Sequence, residues 1–152
     1  MILLTNKKAY YDYEILEKYT AGIKLTGYEA KSLREKGGRL EGSYVKDVAG
    51  GLKLINFYIK RYSKVSQKIE DTDLSRTRDL LLNKKEISKI RSDISQKGKS
   101  CVPLNLRLEH GLFKIEIAVV RGRREFEKKV VAKEKQEKRD EALTRKGIGT
   151  WG

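Results

Sequence analysis

The sequence predicts a mainly β fold: a small closed antiparallel barrel of about six strands with two flanking helices and a basic C-terminal tail. Three observations carry this. Apolar residues alternate with polar ones in several short stretches, the period of half-buried strands. Gly-containing turns join those stretches, which favours hairpins and, with strands this short, a barrel over an open sheet. The apolar signal then stops at Val120, and Arg121, Arg123, Arg124, Lys128 and Lys129 follow in quick succession. The expected division is therefore a body, residues 1–120, and a tail, residues 121–152.

The chain has 152 residues, enough for one core, with 35 Lys and Arg against 21 Asp and Glu and a formal charge of +14. Such an excess attracts polyanions, nucleic acid first and an anionic membrane surface second. No run of about 18 apolar residues is present to span a bilayer. The opening Met1 to Asn6 is too short for a signal-peptide core. The single cysteine, Cys101, fits a reducing compartment, so a cytoplasmic location is expected. One cysteine and one histidine, His110, exclude the usual Cys/His zinc site within one chain. No phosphate loop of the G-x-x-x-x-G-K-[ST] form occurs. Neither a cofactor, a metal nor a catalytic constellation is expected.

Residues 1–9 read as loosely held. Tyr13 and Ile15 alternate with acids up to Tyr19, Ala21-Gly22 breaks the run, and Ile23 and Leu25 resume it; this predicts two strands joined by a tight turn. Thr26-Gly27-Tyr28-Glu29 has the form of a capping box and predicts a helix from about Tyr28 to Glu35. Ala30 and Leu33 would face inward, and Lys31, Ser32 and Arg34 outward. Gly37-Gly38 ends it. A second hairpin runs from Tyr44 to Val48, turns at Gly50-Gly51, and returns from Leu52 to Ile59.

Residues 60–78 lack periodicity, and a loop this long inside a compact domain is usually functional or mobile. Asp71 and Asp73 raise a metal-dependent nuclease as a minor reading, without a matched carboxylate cluster to support it. After the apolar run Leu80-Leu81-Leu82, Asn83 is a good helix cap. Ile87, Ile90 and Ile94 then fall at helical spacing, predicting a helix to about Ser95. A last hairpin puts Val102, Leu104, Leu106 and Leu108 on one strand face, turns at Glu109-His110-Gly111, and returns with Phe113, Ile115, Ile117 and Val119. Cys101 reads as a small core filler.

The tail holds 11 Lys and Arg against 6 acids, a net of +5. Residues 133–146 favour helix, and Glu134 and Lys138 form a favourable i,i+4 pair. Late in that run only Ala142 and Leu143 are apolar, too few to hold it on a core. The tail is expected to be disordered when free and helical on a polyanion. Ile148 and Trp151 have no visible partner.

Arg forks onto phosphate and Lys offers a point charge, so a basic barrel face with Tyr and Asn suits structured or single-stranded RNA. Tyr10, Tyr11, Tyr19, Tyr28, Tyr58 and Tyr62 are stacking candidates, each more often a core residue with a wet hydroxyl.

Four segments are more specific than this chemistry: Asn6-Lys7-Lys8-Ala9; Gly27-Tyr28-Glu29-Ala30-Lys31-Ser32-Leu33-Arg34; Ser75-Arg76-Thr77-Arg78-Asp79-Leu80-Leu81-Leu82-Asn83; and Arg121-Gly122-Arg123-Arg124. In order and spacing they resemble the bacterial SsrA-binding protein (small protein B) family, over roughly residues 5–146. The resemblance implies an oligonucleotide-binding (OB-type) barrel with two or three flanking helices. It implies a monomeric adaptor, not an enzyme, that binds the transfer-RNA-like domain of transfer-messenger RNA. It implies delivery of that RNA to the decoding site of stalled ribosomes for trans-translation, with the tail in the empty messenger path. A general ribosomal or structured-RNA-binding protein is the alternative.

By position, the resemblance assigns RNA binding to Asn6, Lys7, Gly22, Glu29, Lys31, Ser32, Arg34, Leu81, Asn83 and Lys114. Gly22, Glu29 and Leu81 either touch RNA or shape the surface. It assigns ribosome engagement to Arg121, Arg123, Arg124, Lys128 and Lys129, and a tail helix to Ala142 and Leu143. Three positions depart from the family pattern. Thr20 stands where an acid is common, Leu74 replaces a proline, and Phe126-Glu127 replaces Tyr or His followed by Asp.

Overall fold

The computed structural model describes residues 1–49, 51–61 and 74–122. In chain order these form β1 (Ile2–Thr5), α1 (Lys7–Asp12), β2 (Tyr13–Ile23), α2 (Gly27–Arg34), β3 (Gly38–Arg39), β4 (Tyr44–Val48) and β5 (Gly51–Ile55). Then come β6 (Tyr58–Ile59), β7 (Arg78–Leu81), α3 (Lys84–Ile94), β8 (Lys99–Glu109) and β9 (Leu112–Gly122). Seven strands join in the order β1-β8-β9-β2-β7-β5-β4, and β3 pairs with β6 alone. Every pairing is antiparallel. β4 also packs against β8, so the sheet curls into a barrel-like body whose hydrogen-bonded ladder stays open. The mainly β antiparallel fold is as expected; the described residues hold nine strands rather than about six, and three helices, within the two or three that the resemblance implies.

Several local expectations need correction. Residues 1–9 are not loose: β1 pairs with β8, and Asn6 caps α1 by accepting the Ala9 N–H at 3.2 Å. The Ala21-Gly22 step is not a turn. β2 runs straight through it, because Gly22 stays in the ladder opposite Lys114 on one side and Leu81 on the other. The strand expected from Leu52 to Ile59 is broken at Asn56, whose φ is 66°, and Tyr58–Ile59 turns away to pair with β3. At the end of α2 it is Lys36, not a glycine, that takes the positive φ of 60°.

The long β8–β9 hairpin is as expected, with His110 and Gly111 at positive φ in its turn. Its faces are not. The register shifts between Pro103 and Asn105, and the extra residue of a bulge reverses which face the following side chains take. Val102 and Leu104 therefore join Ala9, Ala118 and Val120 in a small cluster with Tyr10, Tyr13 and Ile15. Leu106 lies in the main core with Tyr19, Ile115, Ile117 and Val119, and Leu108 packs against it. A matching shift between Ile15 and Glu17 splits β2 in the same way. The sheet thus has apolar packing on both faces, each fully buried Leu or Ile contributing about 1.5–3 kcal/mol.

α3 follows its sequence signals. Asn83 and Glu86 form a capping box, Ile90 is fully buried, and Ile87 and Ile94 pack beside it on the main core. Cys101 is a buried core filler, and burial pushes its thiol up to about 12.

Candidate nucleic-acid interface

Three of the expected site residues meet through strand register. Gly22 on β2 stands opposite Leu81 on β7 and opposite Lys114 on β9. An ideal Cβ built on Gly22 would lie 3.3 Å from the Leu81 Cβ, so the missing side chain is what lets Leu81 lie across the strand. Leu81 remains 51% exposed. It borders a groove of about 490 Å³ with Gly22, Ala30, Leu112, Phe113 and Lys114. The Arg34 guanidinium lies 6.0 Å from the centre of the Phe113 ring, which brings the C-terminal end of α2 to the groove. The result is an apolar trough with cations at its edge. A base or ribose can lie on Leu81 and Leu112 while Lys114 and Arg34 meet phosphates.

α2 is fixed there by a buried ionic knot. The capping box is complete: Thr26 accepts the Glu29 N–H at 3.4 Å, and Glu29 Oε1 accepts the Thr26 N–H at 2.9 Å. Glu29 also receives Arg76 Nη2 at 2.6 Å and Nε at 3.2 Å. Arg78 adds Nε at 2.9 Å and a shorter contact from Nη2. Burial works against the charge on Glu29, but hydrogen bonds from Arg76, the Thr26 backbone and Arg78 outweigh it and hold the carboxyl below the usual range. Arg78 is wholly buried and also donates to the carbonyls of Phe57, Arg76 and Leu74. The knot joins α2, the β5–β6 turn and the segment leading into β7. Sequence reasoning placed Glu29 at the site and missed the role of Arg78; nothing in a Thr-Arg-Asp stretch marks an arginine as buried.

Other expected site residues serve inside the fold. Ser32 faces inward, not outward; its hydroxyl donates to the Lys60 carbonyl at 2.6 Å and the Gly37 carbonyl at 3.3 Å. Asn6 is 4% exposed and its amide donates to the Pro103 carbonyl at 2.9 Å. Asn83 caps α3 just beyond Leu81, accepting the Glu86 N–H at 2.9 Å. Lys31 is exposed on α2, whereas Lys7 is exposed on α1, which packs on the small second cluster. A second cleft of about 410 Å³ lies there, bordered by Lys8, Asp12, Tyr13 and Tyr44. Tyr44 is 42% exposed; no local signal sets it apart from the other tyrosines, of which the chain has eight in all.

Of the stacking candidates, Tyr19 is buried, Tyr10 packs on the second cluster, and the Tyr58 ring lies 5.3 Å from the Arg39 guanidinium. Tyr11 and Tyr28 are half-buried. Arg121 lies within β9, and its Nε donates to Glu14 at 2.9 Å. Arg123, Arg124, Lys128, Lys129, Ala142 and Leu143 lie outside the described residues, as do Tyr62, Asp71 and Asp73. No described group of His, Cys, Asp and Glu is arranged to hold a metal, and no described helix is long and apolar enough to cross a membrane.

A curled antiparallel sheet with an apolar groove between cationic edges defines a small β module built for contact with a polyanion. The family model described as SmpB protein matches residues 3–146, and the chain belongs to that family. A protein named SsrA-binding protein from Sulfurihydrogenibium sp. (strain YO3AOP1) is 44% identical over 96% of this chain and 95% of its own. The SsrA-binding protein of Persephonella marina is 39% identical, with the same two coverages of 96% and 95%. A solved structure described as "tmRNA-SmpB: a journey to the center of the bacterial ribosome" superposes with a TM-score of 0.68 at 39% identity, over 82% of this chain and 87% of that one.

Proposed function

We propose that this protein is an RNA-binding adaptor of ribosome rescue. It holds the transfer-RNA-like domain of transfer-messenger RNA and carries it to ribosomes stalled on truncated messages. The observation that supports this most directly is the register that sets Gly22, Leu81 and Lys114 side by side on three adjacent strands. That groove offers apolar wall and cation together, as an irregular folded RNA requires. Lys31 and Arg34 on α2 extend it. Asn6, Glu29, Ser32 and Asn83 act by holding α1, α2 and α3 in place. The body is the RNA-binding unit. The basic segment from Arg123 onward, with Arg124, Lys128 and Lys129 adding to its charge, engages the ribosome along the vacant messenger path. The protein works in the cytoplasm as a monomer, without metal or cofactor, and catalyses no reaction.

The deciding experiment is equilibrium binding of the full-length protein to labelled transfer-RNA-like RNA, in competition with bulk ribosomal and duplex RNA. Retention against a large excess of competitor supports the adaptor. Loss of the label to bulk RNA would make the protein a general basic RNA binder, the reading favoured by its net charge of +14 alone.

A further inference from the structure

The row that begins at Gly22 does not stop at Lys114. Lys114 on β9 stands opposite Arg107 on β8. Cross-strand partners in an antiparallel pair share a face of the sheet. Gly22, Lys114 and Arg107 therefore form one line across β2, β9 and β8, on the face away from Ala21, Ile115 and Leu106, which are buried in the main core. Thr20, Glu116 and Asn105 form the parallel row beside it.

Arg107 is held but incompletely used. Its Nη1 lies 3.3 Å from Glu109 Oε1, and its Nη2 donates to the Thr20 hydroxyl at 3.4 Å. Its Nε is buried and has no hydrogen-bond partner among the described residues. Lys114 Nζ lies 3.9 Å from the other oxygen of Glu109. One carboxylate thus stands between two cations and leaves a net positive charge. Thr20 steadies the guanidinium without neutralising it, which a carboxylate at that position would do. The Arg107 side chain is 26% exposed, and the outer nitrogens of its planar fork have donors to spare for a phosphate.

We propose that Arg107 and Lys114 form a phosphate-binding fork at the β8 end of the groove, taking one backbone phosphate of the RNA strand that lies over Gly22 and Leu81. Glu109 is the resting counter-ion, and the incoming phosphate competes with it for Arg107. This rests on the RNA-binding reading above.

The test is the salt dependence of binding between the full-length protein and a transfer-RNA-like transcript, for the native chain and Arg107→Ala, Arg107→Lys, Glu109→Gln and Thr20→Glu. Losing one phosphate contact lowers the slope of log affinity against log salt by about one. Arg107→Ala and Thr20→Glu should both show that drop, with affinity about tenfold weaker at moderate salt. Arg107→Lys should restore the slope and only part of the affinity. Glu109→Gln should bind more tightly than the native chain, an effect that damage to the fold would not produce. An unchanged slope in Arg107→Ala, or weaker binding by Glu109→Gln, would reduce the cluster to an ordinary surface ion network. Native protein that fails to bind the transcript would overturn the fork and the adaptor reading together, whereas native binding with an unchanged slope would overturn the fork alone.

Discussion

The carboxylate of Glu29 and the guanidinium of Arg78 form a pair from which water is almost wholly excluded, their side chains being 1% and 0% exposed. Arg76 completes the arrangement from the rim, its side chain 32% exposed. A buried pair of this kind is weak evidence for stability in itself, since desolvation offsets attraction; losing one partner leaves a buried charge uncompensated. Its role here is geometric: it ties α2 to the β5–β6 turn and to the segment leading into β7.

Glu29→Ala and Arg78→Ala should each destabilise the fold by about 3–5 kcal/mol, and the double variant by less than the sum. Urea titration followed by circular dichroism measures this. Arg76→Ala should cost much less, because that side chain is partly in water. Equal losses at Arg76 and Arg78 would contradict the buried-knot account.

The same carboxylate predicts an acid limb of stability. Its pKa is lowered in the folded state from an ordinary value of 4.5, so the unfolded chain binds more protons in that region and stability rises with pH. The contribution is fully present above about pH 4.5 and is lost as pH falls through the depressed folded value. Glu29→Gln should flatten that limb in pH-dependent melting experiments. A native-like acid limb in the variant would assign the effect to other carboxylates.

Gly22→Leu should close the groove and leave the sheet standing. The native backbone there is extended, but a side chain must push Leu81, whose Cβ lies 3.3 Å from an ideal Cβ on Gly22. Affinity for transfer-RNA-like RNA should fall at least about tenfold, with a loss of about 1–3 kcal/mol in stability. Leu81→Ala opens the groove instead and should weaken binding with little effect on stability, because Leu81 is half exposed. Unchanged binding in both variants would move the interface elsewhere.

Removing residues 123–152 should separate the two activities. β9 runs to Gly122, so the cut spares the ladder and the Arg121–Glu14 contact. Binding to the isolated RNA should persist, and rescue of stalled ribosomes in a reconstituted translation assay should be lost. Parallel loss of both would contradict the proposed division of labour.

Much of this was legible in the sequence because the signals are local. The capping boxes at Thr26–Glu29 and Asn83–Glu86 and the hairpin turn at His110-Gly111 each rest on residues a few positions apart. The family resemblance was legible too, and by position it named Gly22, Leu81 and Lys114 without giving any reason for the grouping. That reason lies in register: the three residues are distant in the chain and adjacent only when β7, β2 and β9 align. The faces of β2 and β8 escape sequence reading for a related cause, since one bulged residue reverses every side chain that follows while leaving the alternation of the letters intact.

The amino-acid sequence by itself determined the class of fold, the excess positive charge, the helix ends and the family. Tertiary structure alone decided which polar residues are buried and which cations face the groove. Ser32 and Lys31 are neighbours on one helix, yet one is buried and the other exposed. Composition and spacing cannot separate them, because burial is a property of what packs against a residue, and that is fixed only when distant strands come together.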